Sequence, residues 1–231
     1  MKVVAGLGNP GNTYARQRHN IGYMAVEAIA SAHGFGPWRD KFQGLVSEGR
    51  LANEKVLLLK PETFMNLSGD SVGAALRYYK LDPGDLVVLH DELDLAPGKV
   101  RVKEGGGHAG HNGLRSIDAH IGPEFTRVRI GIGHPGDKAR VTAHVLGDFT
   151  KADTEWLEPL MDRISRGAPA LVAGDRSGFM QSVATGRQSA PERPKATPMA
   201  EAATTDMSTG KSPEEGKDSR SLIQRLADHF R

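Results

Sequence analysis

Gly6-Leu7-Gly8-Asn9-Pro10-Gly11 follows a short apolar segment, residues 2–5, and leads into Tyr14, His19, Asn20 and Gly22. A strand followed by G-x-G-x-x-G also opens dinucleotide-binding domains, so two readings compete from the start. The dinucleotide fold needs its third glycine to begin a helix that holds the pyrophosphate, and an acid closing the second strand about 20 residues later. Here Pro10 and Asn12 prolong the turn, the next helical pattern begins near Asn20, and the nearest acid, Glu27, falls inside that helix. The stretch reads instead as strand, polar turn and helix, with glycines that let the backbone turn tightly and present Asn9.

Outward from this turn, strand and helix patterns alternate. Residues 20–31 place Ile21, Met24, Ala25, Ala28 and Ile29 on one helical face, ended by Gly34 and Gly36. Residues 43–51 and 55–60 read as a strand pair joined at Ala52-Asn53-Glu54 and stopped by Pro61. A small-residue helix is expected over 67–79. The apolar run 86–89 reads as a buried central strand ending at His90-Asp91. Residues 98–103 alternate, 112–120 read as a helix and 127–132 as a strand. Residues 141–146 and 157–171 look helical, with Pro159 and Pro169 expected at first turns or kinks. Such interleaving predicts an α/β fold, a three-layer sandwich with a mixed, largely parallel central sheet flanked by helices.

The 231 residues divide unequally. From Gln188 to Arg220 there is no Leu, Ile, Val, Phe, Tyr or Trp, too little apolar surface to offset the entropy of ordering. Residues 188–220 are therefore expected to be a disordered linker after a folded unit at 1–187. Residues 221–231 follow as a short amphipathic helix capped by Ser221, with Leu222, Ile223, Leu226 and Phe230 on one face. The segment 188–231 carries seven basic and seven acidic residues, so the first 187 keep the whole formal net charge of +2. Bulk charge does not predict nucleic-acid binding, and any such site must be a local patch. The absence of cysteine excludes disulfides, thiolate metal sites and cysteine nucleophiles. With no signal-type opening and no apolar run of about 18 residues, a cytoplasmic location without a membrane partner is the expectation.

Polar residues cluster at the ends of these elements. Asn9 follows the first strand, His19 precedes the first helix, Asn66 the second, Asp91 ends the central strand, and His111 and Asn112 open another helix. Ligands of α/β sheets bind beyond the carboxyl ends of strands, which allows Asn9 and Asp91 to face one crevice. Each asparagine is also an ordinary cap or turn residue, and a lone histidine is commonly a satisfied one. A carboxylate that holds His19 would fix its tautomer and stabilise its imidazolium, as a general base requires. His90, Asp91, Glu92, Asp94, His108 and His111 invite a metal reading, but their spacing matches no standard metallohydrolase pattern, and neither metal nor cofactor is expected. Lys99, Arg101 and Lys103 form a row about 13 Å long. Arg127 and Arg129 form a second cationic pair, and Lys138 and Arg140 follow. Such a row either protects an exposed sheet edge or tracks phosphates beside the pliable Gly105-Gly106-Gly107.

Taken together, these residues resemble the bacterial-type peptidyl-tRNA hydrolase family. The likeness lies in Gly6 to Gly11 with Tyr14 and Arg18-His19-Asn20, and in Lys60-Pro61-Glu62-Thr63-Phe64-Met65-Asn66-Leu67-Ser68-Gly69. It continues in His90-Asp91-Glu92-Leu93-Asp94, in Gly105-Gly106-Gly107-His108-Ala109-Gly110-His111-Asn112-Gly113-Leu114, and in Arg129 to Gly136. Five ordered blocks are far more specific than any one. The family usually has glycine at the place of Ala109, and the chain beyond Arg187 lies outside the likeness. The resemblance implies a monomer that hydrolyses the ester between peptide and tRNA. It casts His19 as the base that activates water and Asp91 as the group that orients it. Asn9, Asn66 and Asn112 would hold peptide, ester carbonyl and water, while Tyr14, Met65 and His111 shape the site. Arg101, Lys103 and Arg129 match positions associated with tRNA phosphates. An ester is activated enough for oriented water, a base and amide donors to suffice. The competing expectation is a non-catalytic RNA-binding or RNA-processing scaffold on the same fold, which would have no need of a water-activating set.

Overall fold

The computed structural model describes residues 1–184, and the linker and closing helix expected at 188–231 lie outside the described residues. The elements in chain order are β1 (Lys2–Gly6), α1 (Ile21–Ala32), β2 (Arg39–Lys41), β3 (Gly44–Leu51), β4 (Glu54–Pro61), α2 (Ser68–Tyr79), β5 (Leu86–Glu92), β6 (Val100–Glu104), α3 (Asn112–Ile121), β7 (Thr126–Gly131), α4 (Val141–Val145), α5 (Thr154–Val172) and α6 (Arg176–Ala184). They build one sheet in the order β2-β3-β4-β1-β5-β7-β6. The inner strands β4, β1, β5 and β7 run parallel. Antiparallel pairings of β2 with β3, β3 with β4 and β6 with β7 make the sheet mixed toward both edges.

Alternation along the strands sends side chains to two cores. Val4, Leu58, Leu89, Val128 and Ile130 pack with Ile21, Val26 and Ile29 of α1 and Leu160, Ile164 and Ala168 of α5. Val3, Ala5, Leu57, Leu59 and Val88 face the other way, toward Val72 and Leu76 of α2 and Leu114 and Ile117 of α3. These are the three expected layers. Among the described residues no helix is long and apolar enough to cross a membrane.

Two local expectations need correcting. Of the two placements expected for Pro159 and Pro169, first turn or kink, the first does not hold, since both lie inside α5. Each removes one backbone donor, and the apolar face of Leu157, Leu160, Met161, Ile164 and Leu171 buried on the sheet keeps the helix continuous. Gly6 and Gly8 are not turn glycines, since neither has positive φ. They serve close packing: a Cβ on Gly6 would lie 2.1 Å from Gly22 O, and one on Gly22 would lie 2.4 Å from both Leu7 N and Leu89 O. This backbone contact brings the start of α1 down onto the β1–β5 junction. Only Gly11, with φ of 102° and ψ of 150°, supplies the positive-φ conformation that the opening turn needs and that glycine alone adopts readily.

Glu27, the acid that a dinucleotide fold would need on a strand, is buried in α1 as the ion-pair partner of Lys60. The Lys60 ammonium also lies 4.5 Å from the centre of the Trp38 ring. This acid is committed to the core.

Candidate active site

The carboxyl ends of β1 and β5 are adjacent, and the polar residues meet there. The turn Arg18–Asn20 leads into α1 and sets Nδ1 of His19 2.8 Å from Oδ1 of Asp91. A carboxylate only accepts, so Nδ1 bears the proton and Nε2 keeps its lone pair. His111 reaches the same oxygen through Nε2, at 3.0 Å. Its Nδ1 accepts from the N–H groups of Gly113 and Leu114, at 3.1 and 3.4 Å, and so caps α3. A nitrogen that accepts two amide protons carries none, which makes His111 a neutral ring donating to Asp91. Burial alone would push the Asp91 carboxyl up, but His19 and His111 outweigh it and hold the carboxyl well below the usual range. His90 donates from Nδ1 to the Asp91 carbonyl at 2.8 Å and meets the His111 ring edge-on. Burial pushes its pKa down to about 3.

Asn9 is aimed by two neighbours. Its Oδ1 accepts from Met65 N at 2.9 Å, which leaves the Nδ2 hydrogens as the end it can offer to a ligand. The Asn20 side chain clamps the Asn9 backbone, accepting from N and donating to O, both at 2.9 Å. His19, Asp91, Asn9, Met65, Asn66, His111 and Asn112 all line one cavity of about 930 Å³. Phe64, Val141, Val145 and Leu146 add an apolar wall, with Phe64 59% and Leu146 40% exposed.

The structure does not bring every candidate to this cavity. Tyr14 sits half-buried in the turn Asn12–Tyr14 and is not among the lining residues. Arg101 and Lys103 project from β6, the edge strand, exposed to solvent and away from the cavity. Arg129 stands beside them on β7, bound through Nε to Glu92 at 2.7 Å. Lys99 precedes β6 and lies outside the strand. Arg127 does not form the second cationic pair expected with Arg129. It is 2% exposed, pairs with Asp118 at 2.9 Å and donates to Gly107 O at 2.6 Å, anchoring the glycine loop. A buried cation needs a partner, and Asp118 on α3 is within its reach.

Ligand atoms of His19, Asp91 and His111 all lie within 4.8 Å of one another. A cation bound there would take Nε2 of His111, forcing the ring proton onto Nδ1 against the amides of Gly113 and Leu114. The donor set suits a hydrogen-bonded cluster better than a metal. Asn20 entered the sequence reading only as part of a motif, and His90 and Glu92 only as members of a metal set; their contacts here, with the Asn9 backbone, the Asp91 carbonyl and Arg129, had no signal in the sequence beyond adjacency.

A histidine held by a buried carboxylate, at the carboxyl end of parallel strands and facing a cavity rimmed by amides, is an arrangement that suits an α/β-sandwich hydrolase. The chain belongs to the peptidyl-tRNA hydrolase family, whose model matches residues 3–192. It is 63% identical over 231 residues to the peptidyl-tRNA hydrolase of Cereibacter sphaeroides, with both chains fully covered. It is 58% identical over 241 residues to that of Ruegeria pomeroyi, again over the whole of both. The crystal structure of the Acinetobacter baumannii peptidyl-tRNA hydrolase is similar at 42% identity and a TM-score of 0.75, covering 79% of this chain and 94% of that one. Hydrolysis of peptidyl-tRNA, rather than a scaffold role, is therefore its activity.

Proposed function

We propose that His19 acts as the general base toward water in this hydrolysis. The observation that carries the reading is the 2.8 Å bond from His19 Nδ1 to the buried Asp91, which leaves Nε2 as the free basic nitrogen at the cavity. Nε2 takes a proton as water oxygen bonds to the ester carbonyl carbon. Collapse of the tetrahedral intermediate breaks the carbon–oxygen bond to the ribose, and the imidazolium returns its proton to the leaving oxygen. Asp91 stabilises the imidazolium between these steps. The side-chain amides of Asn9, Asn66 and Asn112 hold peptide, carbonyl and water, and have no charge to change with pH. Met65 and the wall of Phe64, Val145 and Leu146 give the peptide an apolar bed, while His111 holds Asp91 and caps α3. Tyr14 takes its part through the shape of the Gly11–Tyr14 turn. Arg101, Lys103 and Arg129 meet tRNA phosphates along the sheet edge. On this reading the protein acts as a cytoplasmic monomer.

The test is single-turnover cleavage of peptidyl-tRNA in the presence of EDTA. His19→Ala should lose about three orders of magnitude or more in rate while retaining tRNA binding. Asp91→Asn should lose at least about tenfold in the same step. Turnover near wild type in His19→Ala would remove His19 from its role, and loss of wild-type activity in EDTA would restore the metal reading.

A further inference from the structure

We infer that Glu92 is a positioning residue that aims Arg129 at substrate phosphate, an inference that rests on the phosphate-binding reading of Arg129 given above. Asp91 and Glu92 are successive residues at the end of β5, so their side chains leave on opposite faces of the sheet. Asp91 goes to His19 and Glu92 goes to Arg129. One strand end thus serves both the ester chemistry and the hold on RNA.

Both carboxylate oxygens of Glu92 are occupied: Oε1 accepts from Asp94 N at 3.1 Å and Oε2 from Arg129 Nε at 2.7 Å. Glu92 is buried, with 7% exposure, so the carboxylate is a fixed post rather than a mobile surface acid. The bond engages the inner edge of the guanidinium. The N–H donors of Nη1 and Nη2, the fork that suits phosphate, are left at the outer end of a side chain 28% exposed. Directly opposite Arg129 in the β6–β7 ladder stands Arg101, and Lys103 follows it on the same face. Among the described residues no acid forms a salt bridge with either. Like charges directly opposed on one sheet face repel. Without Glu92 the Arg129 side chain would swing away from Arg101, and the paired cations would cease to converge on one phosphate path.

Charge alone argues for the opposite outcome. A carboxylate next to a phosphate-binding arginine repels a polyanion, so removing its charge should tighten binding if orientation were irrelevant. The sign of the effect therefore decides. The experiment measures the Kd of the full chain for deacylated tRNA at several salt concentrations, and KM and kcat for peptidyl-tRNA, in wild type, Glu92→Gln, Arg129→Ala and the double variant. Glu92→Gln should weaken binding and raise KM by about fivefold despite the gain of one positive charge, and should add little to Arg129→Ala. The loss should sit in KM rather than kcat, which separates aiming of Arg129 from disturbance of the neighbouring Asp91. Equal or tighter tRNA binding in Glu92→Gln, with Arg129→Ala weakened, would overturn the aiming role while the phosphate reading stands. Wild-type binding and salt dependence in Arg129→Ala would overturn the phosphate reading of Arg129, and the role of Glu92 with it.

Discussion

Oδ1 of Asp91 receives protons from two imidazoles held for different reasons. His19 lines the cavity, whereas His111 is pinned as a neutral ring because its Nδ1 caps α3. A third imidazole, His90, lies against them and must also stay neutral if the charge on Asp91 is to answer to His19. Burial pushes its pKa down to about 3. The sign of the resulting pH dependence follows from linkage. An unfolded histidine titrates near 6.5, so between that pH and about 3 the unfolded chain binds one more proton at this position than the folded chain. Stability from the neutral ring is complete above the unfolded value and declines as pH falls through this window. His90→Asn has no such proton to gain. Between pH 6.5 and 4.5 the wild type should lose about 2–3 kcal/mol more in urea unfolding than the variant. Parallel stability curves would show that His90 does not stay neutral in the fold.

At the scale of elements, the loop before α3 combines rigidity with an unfavourable residue. Arg127 fastens Gly107 O from below, and Gly105, Gly106 and Gly110 all take positive φ. Ala109 does so as well, at 45°, without a glycine's freedom. Ala109→Gly should therefore raise stability by about 1 kcal/mol, measured as a higher urea midpoint at unchanged slope. A lower midpoint would mean that the added freedom of the unfolded chain outweighs the relieved strain. The sequence made this loop legible as a polar, glycine-rich segment, and the resemblance marked position 109 as unusual. Neither showed which residue fastens it. Arg127 and Arg129 alternate on β7 like two members of one cationic row, yet Asp118 and Pro123 lie within reach of the first only. Pairing across the fold decides such questions, and periodicity carries no information about it. His19, Asp91 and the asparagines were legible because they stand at element ends, where a core explanation is weakest. Asn20 and Glu92 were not, because their partners, the Asn9 backbone and Arg129, become neighbours only when α1 and β7 pack beside β1 and β5.

At the scale of the molecule, the sheet separates support from chemistry. The cavity opens at one end of the parallel strands, the cations stand on an edge, and α5 and α6 cover the face used by neither. α6 escaped sequence reading because only Phe179 and Val183 are buried along it, too few to impose a period. Phe179 is nevertheless fully buried, and Gly167 of α5 leaves room for it: a Cβ there would lie 2.8 Å from the ring. The folded unit proposed for residues 1–187 includes this helix, and two truncations test the boundary. A chain ending at Arg187 should keep the unfolding midpoint and the turnover of the full protein, because each candidate site residue and both cores lie before that point. A chain ending at Gly174 uncovers the apolar face of α5 where Phe179 sat. Deleting one such aromatic costs about 3–5 kcal/mol, a large share of the stability of a single domain. The shorter chain should unfold at markedly lower urea, yet any folded fraction should retain the wild-type kcat, since the His19–Asp91 pair rests on α1 and β5. Loss of turnover in the chain ending at Arg187 would instead place an essential contribution beyond that residue.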